Sequence, residues 1–356
     1  MDTPVHLTLH NHLSLQNHES FQDLFHLYEQ LKLKFKNQIL KRAFSGHFLP
    51  CPSLEMGECV DIAISYSLSS LLILTRKEWC QTKIHVLDLH SKKLLFEMDH
   101  LMVASASRLC IEDNFDGNGN DALFFQFYFG GVSKIDLTKT LGSCKKGQDL
   151  EQGHYTIWRL KENSHDKAVK KGRSFKDNLV FTCQDSCIRV LSSFTGIPLQ
   201  TILLDCTDGN PFVSCIDITP EGDLIISETG NNRIRIMREQ LTSDNEQAKS
   251  EWQTIRIIGR SFGKEGNRYG EFSSPEDVLF DPVGQNIIVI DSRNQRIQVL
   301  NLYGRFVGVK NKYMELMTTH SVHRYGYYLN TGSTLCLNGL TGELFVCHRN
   351  RVDVFK

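Results

Sequence analysis

No surplus of charge marks this sequence: 40 Lys and Arg stand against 41 Asp and Glu, a formal net charge of -1 over 356 residues. Without a whole-molecule field to draw it to phosphate, a basic-arm nucleic-acid binder is disfavoured. Long apolar runs are missing too. The most apolar stretch, LSSLLIL from Leu68 to Leu74, falls far short of the roughly 20 residues that cross a bilayer, so no membrane partner is expected. The opening MDTPVHLTLHNHLSLQNHES has histidines and polar residues where a secretory signal needs a basic start and an unbroken apolar stretch. The eleven cysteines include no CxxC pair, Cys183 and Cys187 having three residues between them. That removes zinc-ribbon and thioredoxin-type motifs and fits a reduced, cytoplasmic setting. A G-x-S-x-G nucleophile elbow, a phosphate loop and a Rossmann fingerprint are also absent, and no small-molecule substrate is indicated.

What is present is ordinary globular usage, 40% hydrophobic, 10% aromatic and 23% charged, enough to bury a large core. Length alone would suggest two or three domains. A repeat replaces that count. The tetrapeptides KIHV, KIDL, CIRV, RIRI, RIQV and RVDV start at Lys83, Lys134, Cys187, Arg233, Arg296 and Arg351, 46 to 63 residues apart. Each alternates polar with apolar residues, the period-2 signature of a strand with one face in a core. A second apolar run precedes every copy: LLILTR at Leu71, ALFFQF at Ala122, LVFTC at Leu179, DLIISE at Asp223, NIIVID at Asn286 and ELFVCH at Glu343. Six ordered hairpins at this spacing suit six four-stranded blades, and blades of this size arranged radially make a β-propeller.

The last copy starts at Arg351 and the sequence stops at Lys356, so blade six needs its fourth strand from elsewhere. The segment RAFSGHFL, residues 42–49, is the expected donor, closing the ring and covering an open edge. The expected division is a leader over 1–41 and a propeller over 42–356. Within the leader, Phe21, Leu24, Tyr28, Leu31 and Phe35 follow a 3,4,3,4 spacing, and Phe25, Leu27 and Ile39 widen the stripe, predicting a short N-terminal amphipathic helix over 20–41. It would dock on the propeller or recruit a partner.

Residues 257–307 closely resemble an NHL repeat, through Gly259, the Gly263/Gly266/Gly270 run ending in Phe272, Pro275, Val278, Asp281, Gly284, Asp291, Asn294, Arg296, Ile297 and Gly304. The preceding blade repeats the second half as SETGNNRIRI, with Glu228 for the Asp, then Asn231, Arg233 and Ile234. Blade six keeps Arg351 and Val352 in register, with Asn350 one position late and Val346 in place of the acid. The pattern is clear over 211–307, partial in 308–356 and faint before. The chain is thus read as an all-β, six-bladed propeller of NHL type. Asn294 suits the turn between second and third strands, as do Gly230 and Asn231 one blade earlier, and Arg296 can pair with Asp291 across it, a structural rather than catalytic role.

DNFDGNGNDAL, residues 113–123, resembles the calcium loop of integrin-type FG-GAP repeats. Asn114, Asp116, Asn118 and Asp121 would supply oxygens, with Gly117 and Gly119 permitting the bend. Ala122 stands where a last carboxylate is usual and two of the ligands are neutral, so the choice is between a polar hairpin turn and a low-affinity or lost Ca²⁺ site. Apart from that, no cofactor is expected. His6, His10, His12 and His18 are read as solvated side chains of the terminus. Residues 161–176 and 239–252 are read as polar loops between strands, and YTIWRL, from Tyr155, fits either the end of blade two or the start of blade three.

The NHL resemblance implies a propeller face that binds protein or RNA, often beside ubiquitin-ligase modules, and a minority relative is a metal-dependent lyase. The expected function is a non-catalytic scaffold binding a protein partner, with substrate recognition in a ubiquitin-type pathway as one setting. Its alternatives are RNA binding and a metal-dependent propeller hydrolase or lyase. The last needs about three ligands converging on the channel; Glu112, Asp217, Glu276 and His323 are the nameable residues.

Overall fold

The computed structural model describes residues 42–45, 50–55, 58–78, 81–98, 106–127, 131–146, 155–160, 169–173, 178–184, 186–205, 209, 211–241, 250–311, 334–348 and 351–356. The amphipathic stretch over 20–41, the four N-terminal histidines, His323 and Asn350 lie outside them.

Strand β1 (Pro50–Glu55) comes first. Blade one follows as β2 (Glu58–Ser65), β3 (Ser70–Glu78), β4 (Gln81–Asp88) and β5 (Leu94–Met98). Blade two is β6 (Ala106–Glu112), β7 (Ala122–Phe127), β8 (Val132–Asp136), helix α1 (Leu137–Lys145) and β9 (Thr156–Leu160). Blade three is β10 (Val169–Arg173), β11 (Asn178–Gln184), β12 (Cys187–Ser192) and β13 (Pro198–Leu203). Blade four is β14 (Val213–Ile218), β15 (Leu224–Glu228), β16 (Arg233–Leu241) and β17 (Ser250–Gly259). Blade five is β18 (Pro275–Asp281), β19 (Asn286–Asp291), β20 (Arg296–Asn301) and β21 (Phe306–Asn311). Blade six has β22 (Thr334–Asn338), β23 (Glu343–His348) and β24 (Arg351–Phe355). Each sheet is four-stranded, in chain order except the last, which runs β1-β24-β23-β22. This is an all-β, six-bladed propeller, and every repeated tetrapeptide starts in a third strand.

The core lies between blades. Leu71 and Ile73 of β3 pack with Phe345 and Cys347 of blade six, while Leu72 and Leu74 pack with Leu123 and Phe125 of blade two. A second strand is therefore buried on both faces, which is why it reads as a continuous apolar run and not as an alternation. Comparable layers join blades two and three around Phe124 and Leu191, three and four around Phe181 and Ile226, four and five around Ile234 and Phe280, and five and six around Ile290 and Leu344.

Three sequence expectations need correction. The strand closing blade six is β1, Pro50–Glu55, not residues 42–49; it pairs antiparallel with β24 from Pro50 opposite Phe355 to Glu55 opposite Arg351. Two prolines make PCPSLE a poor strand by propensity, yet an outermost strand is paired on one side only and tolerates them. Residues 42–45 instead pack where blades five and six meet. Phe44 is buried among Leu279, Ile288 and Leu335, and its N–H donates to Asp281 Oδ2 at 2.9 Å.

The second correction concerns residues 161–176, which are not simply a loop. Val169–Arg173 forms β10, the inner strand of blade three, paired with β11 from Val169 opposite Thr182 to Arg173 opposite Asn178. Its sequence VKKGR carries little strand propensity, and its place follows from pairing and its position in the ring. Likewise the expected 239–252 loop is shortened at both ends, because β16 and β17 extend as a hairpin to Leu241 and Ser250.

The third concerns KIDL, whose last residue, Leu137, leaves the strand and opens α1. Asp136 Oδ1 accepts from the Lys139 N–H at 2.9 Å and caps it, while Leu137 and Leu141 enter the layer between blades one and two. YTIWRL resolves in favour of blade two, since β9 pairs with β8.

Candidate functional site

Carboxylates on the inner strands join successive blades. Asp61 Oδ2 of β2 accepts from the Leu109 N–H of β6 at 2.6 Å, Asp217 Oδ2 of β14 from Phe280 of β18 at 2.7 Å, and Asp277 Oδ2 of β18 from Leu335 of β22 at 2.6 Å. In each case the donor is on the inner strand of the next blade. Asp61 Oδ1 also accepts from Thr334 Oγ1 of blade six at 2.9 Å. Burial holds the Asp61 carboxyl above its ordinary range, with Arg108 acting against it. Burial raises Glu276 in the same way, opposed by Ser292 and Arg108 and reinforced by Asp277. These four charged residues, Asp61, Arg108, Glu276 and Asp277, belong to one electrostatic neighbourhood contributed by blades one, two and five.

The acids named for a propeller hydrolase or lyase are not brought together. Glu112 Oε2 pairs with Lys134 Nζ at 2.9 Å between blades two and three, where both are buried, and Lys134 also donates to the Ser193 carbonyl at 2.9 Å. Phe115, Phe124 and Phe194 surround the ammonium with ring centroids 5.0 to 6.0 Å away. Asp217 is occupied by Phe280, and only Glu276 belongs to the charged group around Arg108 and Asp277. Among the described residues no three His, Cys, Asp or Glu side chains form a group suited to a metal ion.

The repeat signature forms a turn lock. Asp291 Oδ2 accepts from Arg296 Nε at 2.8 Å, Asn294 Nδ2 at 2.9 Å and Gln298 Nε2 at 3.0 Å, while Oδ1 accepts from the Ser273 N–H at 2.7 Å. Blade four builds the same device from Glu228, with Arg233 Nε at 2.6 Å, Asn231 Nδ2 at 3.0 Å and Arg235 Nε. Asn231 and Asn294 thus serve through their amides; the left-handed turn positions are the following residues, Asn232 at φ 49° and Gln295 at φ 53°. Asp281 Oδ1 accepts from the Val283 and Gly284 N–H groups at 3.0 and 3.1 Å, and Oδ2 holds Phe44. A Cβ at Gly284 would come 2.6 Å from Asp281 Oδ2 and push that oxygen off the Phe44 N–H. Arg351 faces Asp353 at 3.2 Å on its own strand instead.

The loop over 113–121 is held by its own donors. Asn114 Oδ1 accepts from the Gly119 N–H at 2.6 Å, Asp116 Oδ1 from Asn118 at 2.9 Å, and Asp116 Oδ2 from Asn120 Nδ2 at 2.6 Å. Asp121 Oδ1 accepts from Asn114 at 3.0 Å, and Oδ2 turns to Ser65 Oγ of blade one at 2.6 Å. These bonds close the loop on itself, and its last carboxylate links two blades.

Sequence reasoning missed the outer rim between blades four and five. There the 301–306 turn of blade five presses on β17: Gly304, at φ 78°, leaves room for Ile258, whose Cγ2 would be 2.9 Å from a Cβ. Tyr269, from the connection between the blades, stacks on Phe306 with centroids 4.0 Å apart, and the Arg256 guanidinium lies 4.8 Å from the Tyr303 ring centroid. The only sequence signal was aromatic residues interleaved with arginines, in a stretch whose glycines belong to the repeat.

The β-propeller domain of Cps50 (Swd1) from Myceliophteria thermophila is similar, with a TM-score of 0.55 and 9% identity, covering 87% of this chain and 99% of that one. A protein of unknown function from Bacteroides caccae aligns at a TM-score of 0.46 and 13% identity over 80% of this chain and 89% of its own. At 9% identity the likeness to Cps50 shows the fold alone. No protein-family model matches the chain, and no curated protein matches it either.

Proposed function

We propose that the chain is a non-catalytic propeller of NHL type that binds a protein partner in the cytoplasm. One observation carries this reading: inner-strand acids are engaged in holding blades to one another, while large aromatic side chains stand exposed on the outer rim. Propellers commonly serve as interaction scaffolds, and a surface of unburied rings flanked by cations is what a recognition site presents. The NHL assignment rests on the turn lock repeated in blades four and five, and a role in a ubiquitin-type assembly rests on that resemblance. No helix among the described residues is long and apolar enough to cross a membrane.

Affinity purification of the full chain after cross-linking tests the proposal. A stoichiometric protein partner that survives ribonuclease is expected, with cross-links on propeller lysines. Stoichiometric zinc or calcium in the purified chain, or recovery that depends on RNA, would count against it and favour the metal-dependent or RNA-binding alternative.

A further inference from the structure

The connection over residues 260–274 is fastened to blade five. Arg296 donates to the carbonyls of Asn267, Arg268 and Glu271 at 2.7 to 2.9 Å, Gln298 Nε2 to Glu271 at 2.8 Å, and Asn294 Nδ2 to Gly266 at 2.8 Å. What it displays is therefore fixed in place before any partner arrives, which lowers the ordering cost of binding. Tyr269 is 56% exposed and Phe306 40%, and their rings stack at 16°. Tyr303, three residues before Phe306 in the same turn, is 70% exposed. On the same connection Phe262, 74% exposed, holds φ 59°, a left-handed backbone that a bulky residue adopts at a cost.

Charge is distributed unevenly here. Residues 254–274 and 301–307 contain five cationic side chains, Arg256, Arg260, Lys264, Arg268 and Arg305, and two acidic ones, Glu265 and Glu271. Both acids are engaged, Glu265 by Arg293 at 2.5 Å and Glu271 by Arg260 at 3.8 Å and by the Arg268 N–H at 3.1 Å. Lys264, Arg268 and Arg305 have no carboxylate partner among the described residues. A chain with a net charge of -1 thus carries a local cationic excess beside its exposed rings.

The geometry points to this rim as the docking surface for an acidic peptide segment that carries an aromatic or aliphatic anchor, a deepening that rests on the protein-binding reading above. The anchor packs on the Tyr269 and Phe306 stack and on Tyr303, and its flanking carboxylates meet Lys264, Arg268 and Arg305. Single-stranded RNA fits less well. Tyr269 and Phe306 cover one face of each other, where successive bases need open faces to stack on. The four cations without a carboxylate partner, Arg256, Lys264, Arg268 and Arg305, are also few beside the roughly 6 to 10 phosphate contacts of a strong nucleic-acid binder.

The test is selection of a random dodecapeptide display library on the full chain and, in parallel, on an R268E/R305E variant and a Y269A variant, with circular dichroism confirming that each is folded. Enriched peptides should be rich in Asp and Glu around an aromatic residue or leucine. A synthetic peptide of that composition should bind the parent chain, lose at least tenfold in affinity to R268E/R305E and about fivefold to Y269A, and weaken with added salt. Enriched peptides without acidic bias, or unaffected by either variant, overturn the assignment of this rim and leave the scaffold reading standing. No enrichment, or tighter binding of a twelve-residue oligouridylate than of any selected peptide, overturns the acidic-peptide proposal, and the cross-linking experiment then judges the scaffold reading separately.

Discussion

Arg296 and Asp291 face each other across the turn between β19 and β20, Nε to Oδ2 2.8 Å, and both are buried. The guanidinium does two things there: it neutralises a carboxylate withdrawn from water, and it binds three carbonyls of the incoming chain. Lysine could match the charge but not the planar fork.

Arg296→Met should therefore lower stability by about 3 to 5 kcal/mol, the usual cost of leaving one buried charge without its partner. Arg296→Lys should recover only part of that loss. Urea denaturation followed by tryptophan fluorescence measures both; equal stability of the Lys variant and the parent would show that charge alone matters.

Glu112 and Lys134 form a second buried pair, at 2.9 Å. Lys134→Met is expected to destabilise by about 3 to 5 kcal/mol, and combining it with Glu112→Leu should restore much of the loss, because the orphaned carboxylate goes with its partner. A double-mutant cycle reads the coupling. Simple additivity of the two losses would refute the pairing.

Phe44 should act as a wedge between blades five and six. Its replacement by Ala removes a buried ring, with an expected cost of about 3 to 5 kcal/mol. Hydrogen exchange should then rise first in β22 to β24. Unchanged protection of those strands would mean that the wedge does not hold the seam.

Glu276 gives a dependence on pH. Burial raises its folded-state value, so the folded protein holds this proton more tightly than the unfolded chain. The stabilising contribution is fully present below the unfolded carboxylate value and is lost as pH rises through the raised folded one. Glu276→Gln removes that loss. Its thermal midpoint should exceed the parent's near neutral pH, and the gap should shrink as pH falls toward the ordinary carboxylate range. A gap that stays constant across that range would remove Glu276 from the buried group around Arg108 and Asp277.

How much of this could be read from residues alone varied with the range of the interaction. The third strands were legible because RIRI and RIQV alternate locally, and the Asp291 to Arg296 lock was legible because its partners sit five residues apart. Asp281 and Phe44 are 237 residues apart, and Asp61 and Thr334 are 273 apart; no local pattern links such pairs. The rim escaped notice for a related reason. Tyr269 and Phe306 come from different segments, and each alone reads as an incidental surface ring.

The sequence by itself determined the number of blades and the order of their middle strands, since alternation and apolar runs report on which faces of a strand are buried. The closing strand was decided by tertiary structure alone: PCPSLE succeeds, despite its prolines, because it has one free edge. The inner strand VKKGR was decided in the same way, with ring position and pairing overriding a weak propensity. The meaning of near-zero net charge also came from the fold, because only folding brings Arg268 and Tyr269 together with Arg305 and Phe306 while pairing Glu265 and Glu271, the acids that would offset them.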